Sequence, residues 1–343
     1  MRLASALTGS SYFAKLPVIN WIQRKGPLDY MGLNPKELSK EHETHATSPE
    51  LLVVGGGKGG VGKTCFSVNT AVEIARRGWR VILLDADLSC SNIETVLGFR
   101  AKKRLDDFFL QKGRKKLQDI VCETPYENLS LIPGTTGLMD AANPRFQQKV
   151  ALIRELRRLD ADLVMVDLDA GAHLNTLDFF LMTNTKGVVV ITPERTSIDN
   201  AFKFLRAALF RRIERFYRSP EVGFLLKRNE TLTDFLVSIK TADCFDTAVK
   251  KQLCDELMAL AQAFRPKVVV SKATNAHEAK IAASILAKFA QQHLCIQTEN
   301  LGFVYFDKYV SEAVNSGVPF VVGRPQGKMS GCIVDMANRL GYF

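Results

Sequence analysis

The sequence predicts an α/β protein whose mostly parallel sheet is covered by helices on both faces. Apolar runs of four to six residues alternate with longer segments of helical periodicity from Leu51 almost to the end of the chain. Several of these runs are nearly continuous Val, Ile and Leu, which is typical of strands that are buried on both faces. The regular alternation of strands and helices predicts βαβ units and therefore parallel pairing.

The individual elements follow from this alternation. The predicted strands cover residues 51–54, 81–84, 129–132, 163–166, 187–191, 267–270 and 296–301. The predicted helices cover residues 63–77, 145–159, 174–182, 197–217, 247–263, 276–293 and 329–340. Residues 219–265 fit the alternation least well, because they hold helical patterns without a clear strand, and we interpret them as a possible helical insertion.

The chain divides into an N-terminal extension, residues 1–49, and one α/β domain, residues 50–343. Four prolines interrupt the extension, and its first 28 residues contain basic but no acidic side chains. We expect the extension to be loosely ordered, with a transit peptide or an amphipathic surface anchor as alternatives. A secretory signal is not expected, because the apolar stretch 16–22 is too short and too interrupted.

The composition is that of an ordinary globular protein, with 46% hydrophobic and 24% charged residues. No apolar run reaches the roughly 18 residues that a membrane-spanning helix requires. The seven cysteines are scattered and form no C-x-x-C pair. In a chain of this length they predict reduced thiols and a cytoplasmic location, with a peripheral position at a membrane or cell pole left open.

The formal net charge of +10 favours acidic partners such as nucleotides, nucleic acid or anionic lipid. Part of the charge is concentrated in two segments, residues 100–104 and the arginines of residues 206–218. We expect both to be solvated helix faces, with contact to DNA or to a membrane as the alternative.

The most informative motif lies between the first predicted strand and the first predicted helix. Residues 57–64 match G-x-x-x-x-G-K-[ST], the P-loop. The glycines allow backbone N–H groups to curl around phosphate oxygens, while Lys63 supplies a charge for the β/γ-phosphates and Thr64 a hydroxyl for Mg²⁺. The predicted nucleotide-binding residues here are Gly57, Lys58, Gly59, Gly60, Val61, Gly62, Lys63, Thr64 and Cys65.

Carboxylates end two further predicted strands, at the edge of the sheet where ligands gather. The second strand is followed by Asp85 and Asp87, and the fourth by Asp167 in an order typical of a Walker B segment. We expect Asp167 in the Mg²⁺ shell, in part through water, and Asp85 as a brace for the P-loop. Gly171 is predicted to offer its N–H to the γ-phosphate from a loop that orders with nucleotide.

The string K-G-G-V-G-K-T, which begins at Lys58, resembles the deviant Walker A motif of the MinD/ParA group of SIMIBI-type P-loop ATPases. The segment D-A-D-L-x-x-x-N at residues 85–92 resembles switch I of that group. The resemblance implies ATP and Mg²⁺ as cofactors, an ATP-dependent homodimer, and a Lys58 side chain that reaches the partner's nucleotide. It further implies that Lys58, Lys63 and Asp87 act in hydrolysis, Lys58 from the partner copy and Asp87 near Mg²⁺ and the attacking water. Capping of the next helix is the alternative role for Asp87.

The segment T-P-E-x-T-S-I at residues 192–198 resembles the FlhG/FleN branch, whose members regulate flagellar number and placement. The resemblance covers about residues 51–340. Asp169 stands where relatives carry Gly or Pro, and a carboxylate beside the γ-phosphate predicts slow hydrolysis. Ser271 stands where relatives place an asparagine that reads adenine, and Asn275 is an alternative reader.

These observations favour a dimerisation switch that binds and slowly hydrolyses ATP and controls placement or number of a cellular structure. A protein partner or activator is expected, and DNA or membrane surfaces remain open. The alternatives are a ParA-like partitioning ATPase, a small-molecule kinase or ligase and, less favoured because no C-x-x-C is present, an iron–sulfur carrier of the same fold.

Overall fold

The structure, a computed structural model, describes residues 48–87, 92–110, 116–135, 146–182, 187–217 and 219–343. The predicted extension 1–49 lies outside these residues apart from its last two positions. The strands are β1 (Glu50–Gly55), β2 (Val81–Ala86), β3 (Cys122–Glu123), β4 (Leu129–Ile132), β5 (Leu163–Leu168), β6 (Gly187–Ile191), β7 (Lys267–Ala273) and β8 (Glu299–Tyr305).

These strands form one sheet in the order β3-β4-β2-β5-β1-β6-β7-β8. Every neighbouring pair is parallel except β3 and β4, which are antiparallel. The predicted mostly parallel sheet is therefore confirmed. β1 lies between β5 and β6, so the loop that follows β1 is central along the carboxyl edge of the sheet.

Two strands at the edges of the sheet differ from the sequence prediction. β3 was not predicted, because two residues are too few for a periodic pattern. The last strand was predicted at 296–301 but runs from Glu299 to Tyr305. Ile296 is apolar and buried, yet it follows Cys295, a left-handed residue (φ 56°) that ends a helix, so it belongs to the connection.

Thirteen α-helices and one short 3₁₀ helix, Leu117–Ile120, accompany the sheet in the described residues. The first six are α1 (Lys63–Arg76), α2 (Ile93–Leu97), α3 (Leu105–Leu110), α4 (Phe146–Leu156), α5 (Leu174–Phe180) and α6 (Arg195–Tyr217). The next four are α7 (Pro220–Lys227), α8 (Leu232–Thr241), α9 (Thr247–Gln262) and α10 (Ala276–Leu294). The last three are α11 (Tyr309–Ser316), α12 (Phe320–Gly323) and α13 (Lys328–Leu340). Residues 219–265 hold α7, α8 and α9 and no strand, while their interpretation as an inserted unit stays a prediction.

The sheet is covered on both faces, and strand β1 shows how. Successive side chains of a strand point to opposite faces. Leu51 and Val53 belong to one buried cluster, whereas Leu52 and Val54 belong to another. The first cluster packs under α3–α10, and the second under α1, α2 and α11–α13. This double burial explains why the strands read as continuous apolar runs.

Candidate functional site

The P-loop joins the end of β1 to the start of α1 and needs glycine at several positions. Gly60 and Gly62 have positive φ angles of 72° and 93°, a region that residues with a side chain adopt rarely. Gly57 has a different constraint, because a Cβ there would lie 2.0 Å from the backbone oxygen of Asn200 in α6. The loop therefore packs directly against the first turns of α6 while leaving its outer side open for phosphate.

Lys63 is the first residue of α1, and it is only 8% exposed. Burial lowers the pKa of its ammonium group, whereas the nearby carboxylates of Asp167, Asp169 and Asp87 favour the charged form. Burial has removed water from the Lys63 ammonium group. The terminal phosphates of a nucleotide would replace part of that water, so this enclosed cation is suited to bind them.

Asp167 lies at the end of β5, where the sheet register places it beside Val54 of β1 and Asp85 of β2. It is 1% exposed, and Ser67 Oγ donates to its Oδ1 at 2.8 Å. Burial raises the pKa of the Asp167 carboxyl to about 6, although hydrogen bonds from Thr64 and Ser67 oppose the shift. This oxygen-rich corner beside Lys63 fits Mg²⁺, which takes one or two carboxylates and otherwise phosphate and water.

Asp85 and Asp87 organise the segment that follows β2. The buried Asp85 carboxylate accepts from the backbone N–H of Asp87 at 3.1 Å and of Ile93 at 3.3 Å. These bonds join the two ends of the predicted switch I, whereas a bond from Asp85 to the P-loop stays a prediction. The described helix that follows, α2, begins at Ile93 with Asn92 in the capping position, and the role of Asp87 stays a prediction.

The loop after β5 contacts the P-loop through its backbone. The N–H of Gly171, which has a φ of 90°, donates to the carbonyl oxygen of Gly56 at 3.0 Å. Asp169 turns its Oδ1 towards the N–H of Ala170. The predicted contact from Gly171 to a γ-phosphate therefore requires the bond to Gly56 to open, and it stays a prediction.

Lys58 stands at a partly exposed edge of the P-loop, here called its rim, and its side chain contacts the start of α6. Its Nζ is 3.0 Å from Oε2 of Glu194 and 3.3 Å from Oγ1 of Thr196, at the start of α6. The Lys58 side chain is 40% exposed, in contrast to that of Lys63. The two P-loop lysines are thus placed for different tasks, one inside the cradle and one at its open rim.

The last residues of β7 hold the P-loop from the other side. Ser271 Oγ donates to the carbonyl oxygen of Val61, and Lys272 Nζ donates to that of Gly60 at 2.7 Å. Asn275 caps α10 by accepting from the N–H of Glu278 at 2.9 Å. The two predicted base readers, Ser271 and Asn275, therefore have local partners here, and their contact with a base stays a prediction.

Sequence reasoning missed several residues of this site. Glu194 and Thr196 lie in the T-P-E-x-T-S-I segment that was singled out, but no local pattern connects them to Lys58. Ser67 and Lys272 stand beside residues that were predicted, one turn after Thr64 and one residue after Ser271. A search for polar side chains next to predicted site residues would have found both.

The arginines of α6 correct one expectation. Arg211 and Arg215 turn inward to the buried carboxylate of Asp178, and Arg212 is 8% exposed with its guanidinium over the ring of Phe264. A solvated face is therefore wrong for these three residues, because α6 is packed between neighbours. Arg218 lies outside the described residues. The other basic segment, residues 100–104, is not a helix face as expected but the connection between α2 and α3. Arg100, Lys102 and Lys103 are exposed there, whereas Arg104 pairs with Glu94.

Among the described residues, six cysteines are free thiols, and no three His, Cys, Asp or Glu side chains form a group that could hold a metal ion. No helix within the described ranges is both long and apolar enough to cross a bilayer. A Mg²⁺ site that shares its ligands with phosphate and water does not require three protein carboxylates.

Comparison with known proteins agrees with the geometry. A family profile described as an AAA domain matches residues 50–216. Antiactivator FleN of Pseudomonas aeruginosa is 29% identical over 266 residues, which cover 74% of this chain and 93% of FleN. The flagellum site-determining protein YlxH of Helicobacter pylori is 30% identical over 164 residues, which cover 46% of this chain and 53% of YlxH.

Solved structures share the fold. MinD of Pyrococcus horikoshii, complexed with Mg-ADP, superposes with a TM-score of 0.56 at 20% identity over 85% of this chain and 96% of that one. A ParA family ATPase of Chlorobium tepidum superposes with a TM-score of 0.55 at 16% identity, over 86% of this chain and 100% of that one. The P-loop, the carboxylates at the ends of β2 and β5, and these relatives make the chain similar to MinD/ParA-type P-loop ATPases and to FleN.

Proposed function

We propose that this protein is an ATP-dependent dimerisation switch that controls the placement or number of a cellular structure, of the flagellar or cell-pole type. ATP and Mg²⁺ bind in the P-loop, two copies close around two nucleotides, and slow hydrolysis releases them. FleN, YlxH and MinD, three relatives of this chain, are named for anti-activation, flagellum site determination and septum site determination. These names support a role in positioning a cellular structure and the presence of a protein partner or activator.

The position of Lys58 carries this proposal. A lysine that served its own nucleotide would turn into the cradle, as Lys63 does. Lys58 Nζ instead lies at the exposed rim, on the side of Glu194 and Thr196. A cation at that rim is placed to meet the phosphates of a second copy, where it would neutralise charge on a transferring phosphoryl group.

The remaining residues of the corner have complementary roles in the proposal. Lys63 neutralises the β/γ-phosphates, and Thr64 and Asp167 hold Mg²⁺, which supplies Lewis-acid stabilisation of the phosphates when bound. Asp87 lies close enough to Lys63 to act on its charge and is assigned to orient the attacking water. Asp169 adds negative charge beside the expected γ-phosphate and makes hydrolysis slow.

The test combines two measurements on the purified chain. Multi-angle light scattering after gel filtration gives the mass with ADP, ATP and a non-hydrolysable ATP analogue, and phosphate release gives the hydrolysis rate. We expect a monomer with ADP, a dimer with the analogue, and slow release of phosphate from ATP. A monomer under all three conditions would contradict the proposal.

A ParA-like partitioning role is the second candidate, and the exposed basic residues after α2 favour it. Arg100 and Lys102 are exposed next to switch I, and the chain carries an excess of positive charge. If they contact DNA phosphates, neutral substitution of both should flatten the salt dependence of DNA binding by about two ion contacts. No binding of duplex DNA at low salt would remove this candidate.

A further inference from the structure

A buried ion cluster joins three helices behind the loop that follows β5 and holds Gly171, which is called switch II below. Asp178, in α5, is 2% exposed and accepts from three cations on two other helices. Its Oδ2 is 3.0 Å from Lys149 Nζ of α4, and its Oδ1 is 3.1 Å from Arg211 Nε and 2.5 Å from Arg215 Nη2 of α6. Arg211 also contacts Glu214 at 2.8 Å. One carboxylate therefore ties α5 to both α4 and α6.

The cluster fixes only one end of α5. The second turn of α5 is buried around Asp178, whereas Leu174 in the first turn is 59% exposed. His173, in the capping position, makes no side-chain cap hydrogen bond. The free end of α5 continues directly into the loop that holds Gly171. We therefore expect the loop and the first turn of α5 to move, while Asp178 keeps the second turn of α5 in place.

The same cluster reaches the P-loop through α6. Glu194 and Thr196, which hold Lys58, stand at the start of α6, and Arg211 stands 16 residues after its first residue, Arg195, or about 24 Å along the axis. The P-loop also touches α6 where Gly57 packs against Asn200. One continuous helix thus contacts the P-loop, the Lys58 rim and, through Asp178, the helix behind switch II.

We propose that Asp178 is a positioning residue for γ-phosphate sensing, a step that rests on the function proposed above. It sets the position of α5 relative to α6, so that the Gly171 N–H can be exchanged between the Gly56 carbonyl and a γ-phosphate. A triphosphate can shift this equilibrium only by its differential affinity for the two loop positions. Without the Asp178 contacts, α5 is no longer fixed and the loop samples many positions. The difference in triphosphate affinity between the two loop positions is then lost.

The test is Asp178→Asn, which keeps the shape and removes the charge. The affinities for fluorescent mant-ADP and mant-ATPγS are measured with Mg²⁺ present. We expect mant-ADP affinity within about threefold of the unchanged protein, and a ratio of triphosphate to diphosphate affinity lower by at least about tenfold, which is about 1.4 kcal/mol. Leu253→Ala in α9 is the control for general loss of stability, because Leu253 is buried far from switch II in sequence.

Two outcomes overturn the inference. One is a folded Asp178→Asn protein with an unchanged ratio, and the other is an equal fall of the ratio in Leu253→Ala. If Asp178→Asn does not fold, Arg211→Gln is measured in the same way, since it removes one of the two α6 partners of Asp178 and leaves Lys149 and Arg215 paired with the carboxylate, and an unchanged ratio there also overturns the inference. A dimeric unchanged protein with triphosphate keeps the proposed function intact in each case, so the two failures are distinguishable.

Discussion

Lys58 Nζ and Glu194 Oε2 lie 3.0 Å apart, so the rim lysine is held against the start of α6 of its own chain. Both side chains are well exposed, at 40% and 64%. Exposed ion pairs contribute about 0–1 kcal/mol, because water screens them and both side chains lose freedom. The contact therefore positions Lys58 without the strength to prevent its transfer to a second copy.

This magnitude gives a first prediction. Glu194→Gln should tighten the triphosphate-dependent dimer by no more than about 30-fold, since a symmetric dimer releases two such pairs and each contributes about 1 kcal/mol at most. Sedimentation equilibrium with a non-hydrolysable analogue measures the dimer dissociation constant. Asp199→Asn is the matched control, because it breaks the exposed Asp199–Lys203 pair of the same helix. A change of a hundredfold or more in either direction would show that Glu194 has another role.

The packing of the P-loop on α6 gives a second prediction. Gly57→Ala places a Cβ 2.0 Å from the backbone oxygen of Asn200, which cannot withdraw as a flexible side chain could. We expect a lower melting temperature and at least about tenfold weaker nucleotide binding, because the loop must shift. Gly223→Ala in α7 is the control, since nothing lies within 4 Å of its Cβ, and it should be neutral or stabilising by up to about 1 kcal/mol. Equal behaviour of the two variants would refute the packing argument.

The carboxylate of Asp169 gives a third prediction. Its charge lies close enough to Lys63 to act on that ammonium group, and it would repel an approaching γ-phosphate. Asp169→Gly should therefore raise the rate of phosphate release at saturating ATP several-fold, with little change in ADP affinity. Unchanged turnover would mean that the charge at this position does not limit hydrolysis.

The buried carboxyl of Asp167 gives a prediction on pH. Burial raises its folded-state pKa from an ordinary 3.8 to about 6, so the metal-free protein binds this proton more tightly than the unfolded chain does. The contribution to stability is therefore present below about pH 4 and is lost as the pH rises through 6, a change of about 3 kcal/mol. The free energy of unfolding is measured by urea titration in EDTA at pH 4 and pH 7. It should fall between these pH values by more in the unchanged protein than in Asp167→Asn, and an equal fall in both would contradict the prediction.

The sequence predicted what depends on local pattern. β1, β2, β5 and the P-loop have strong signals, because continuous apolar runs end in glycines or carboxylates. Contacts between distant positions have no such signal: Lys58 and Glu194 are 136 residues apart, Ser271 and Val61 are 210 apart, and Arg211 and Asp178 are 33 apart. The arginines of α6 were read as solvated for this reason, because helical periodicity alone does not reveal a buried carboxylate on another helix.

The most direct test of the account is the mass of Lys58→Ala bound to a non-hydrolysable ATP analogue, with Lys102→Ala as the control that removes another exposed lysine. The account predicts that the unchanged protein and Lys102→Ala are dimers, while Lys58→Ala binds the analogue and stays a monomer. Dimerisation of Lys58→Ala to the same extent as the unchanged protein would contradict the role assigned to this lysine.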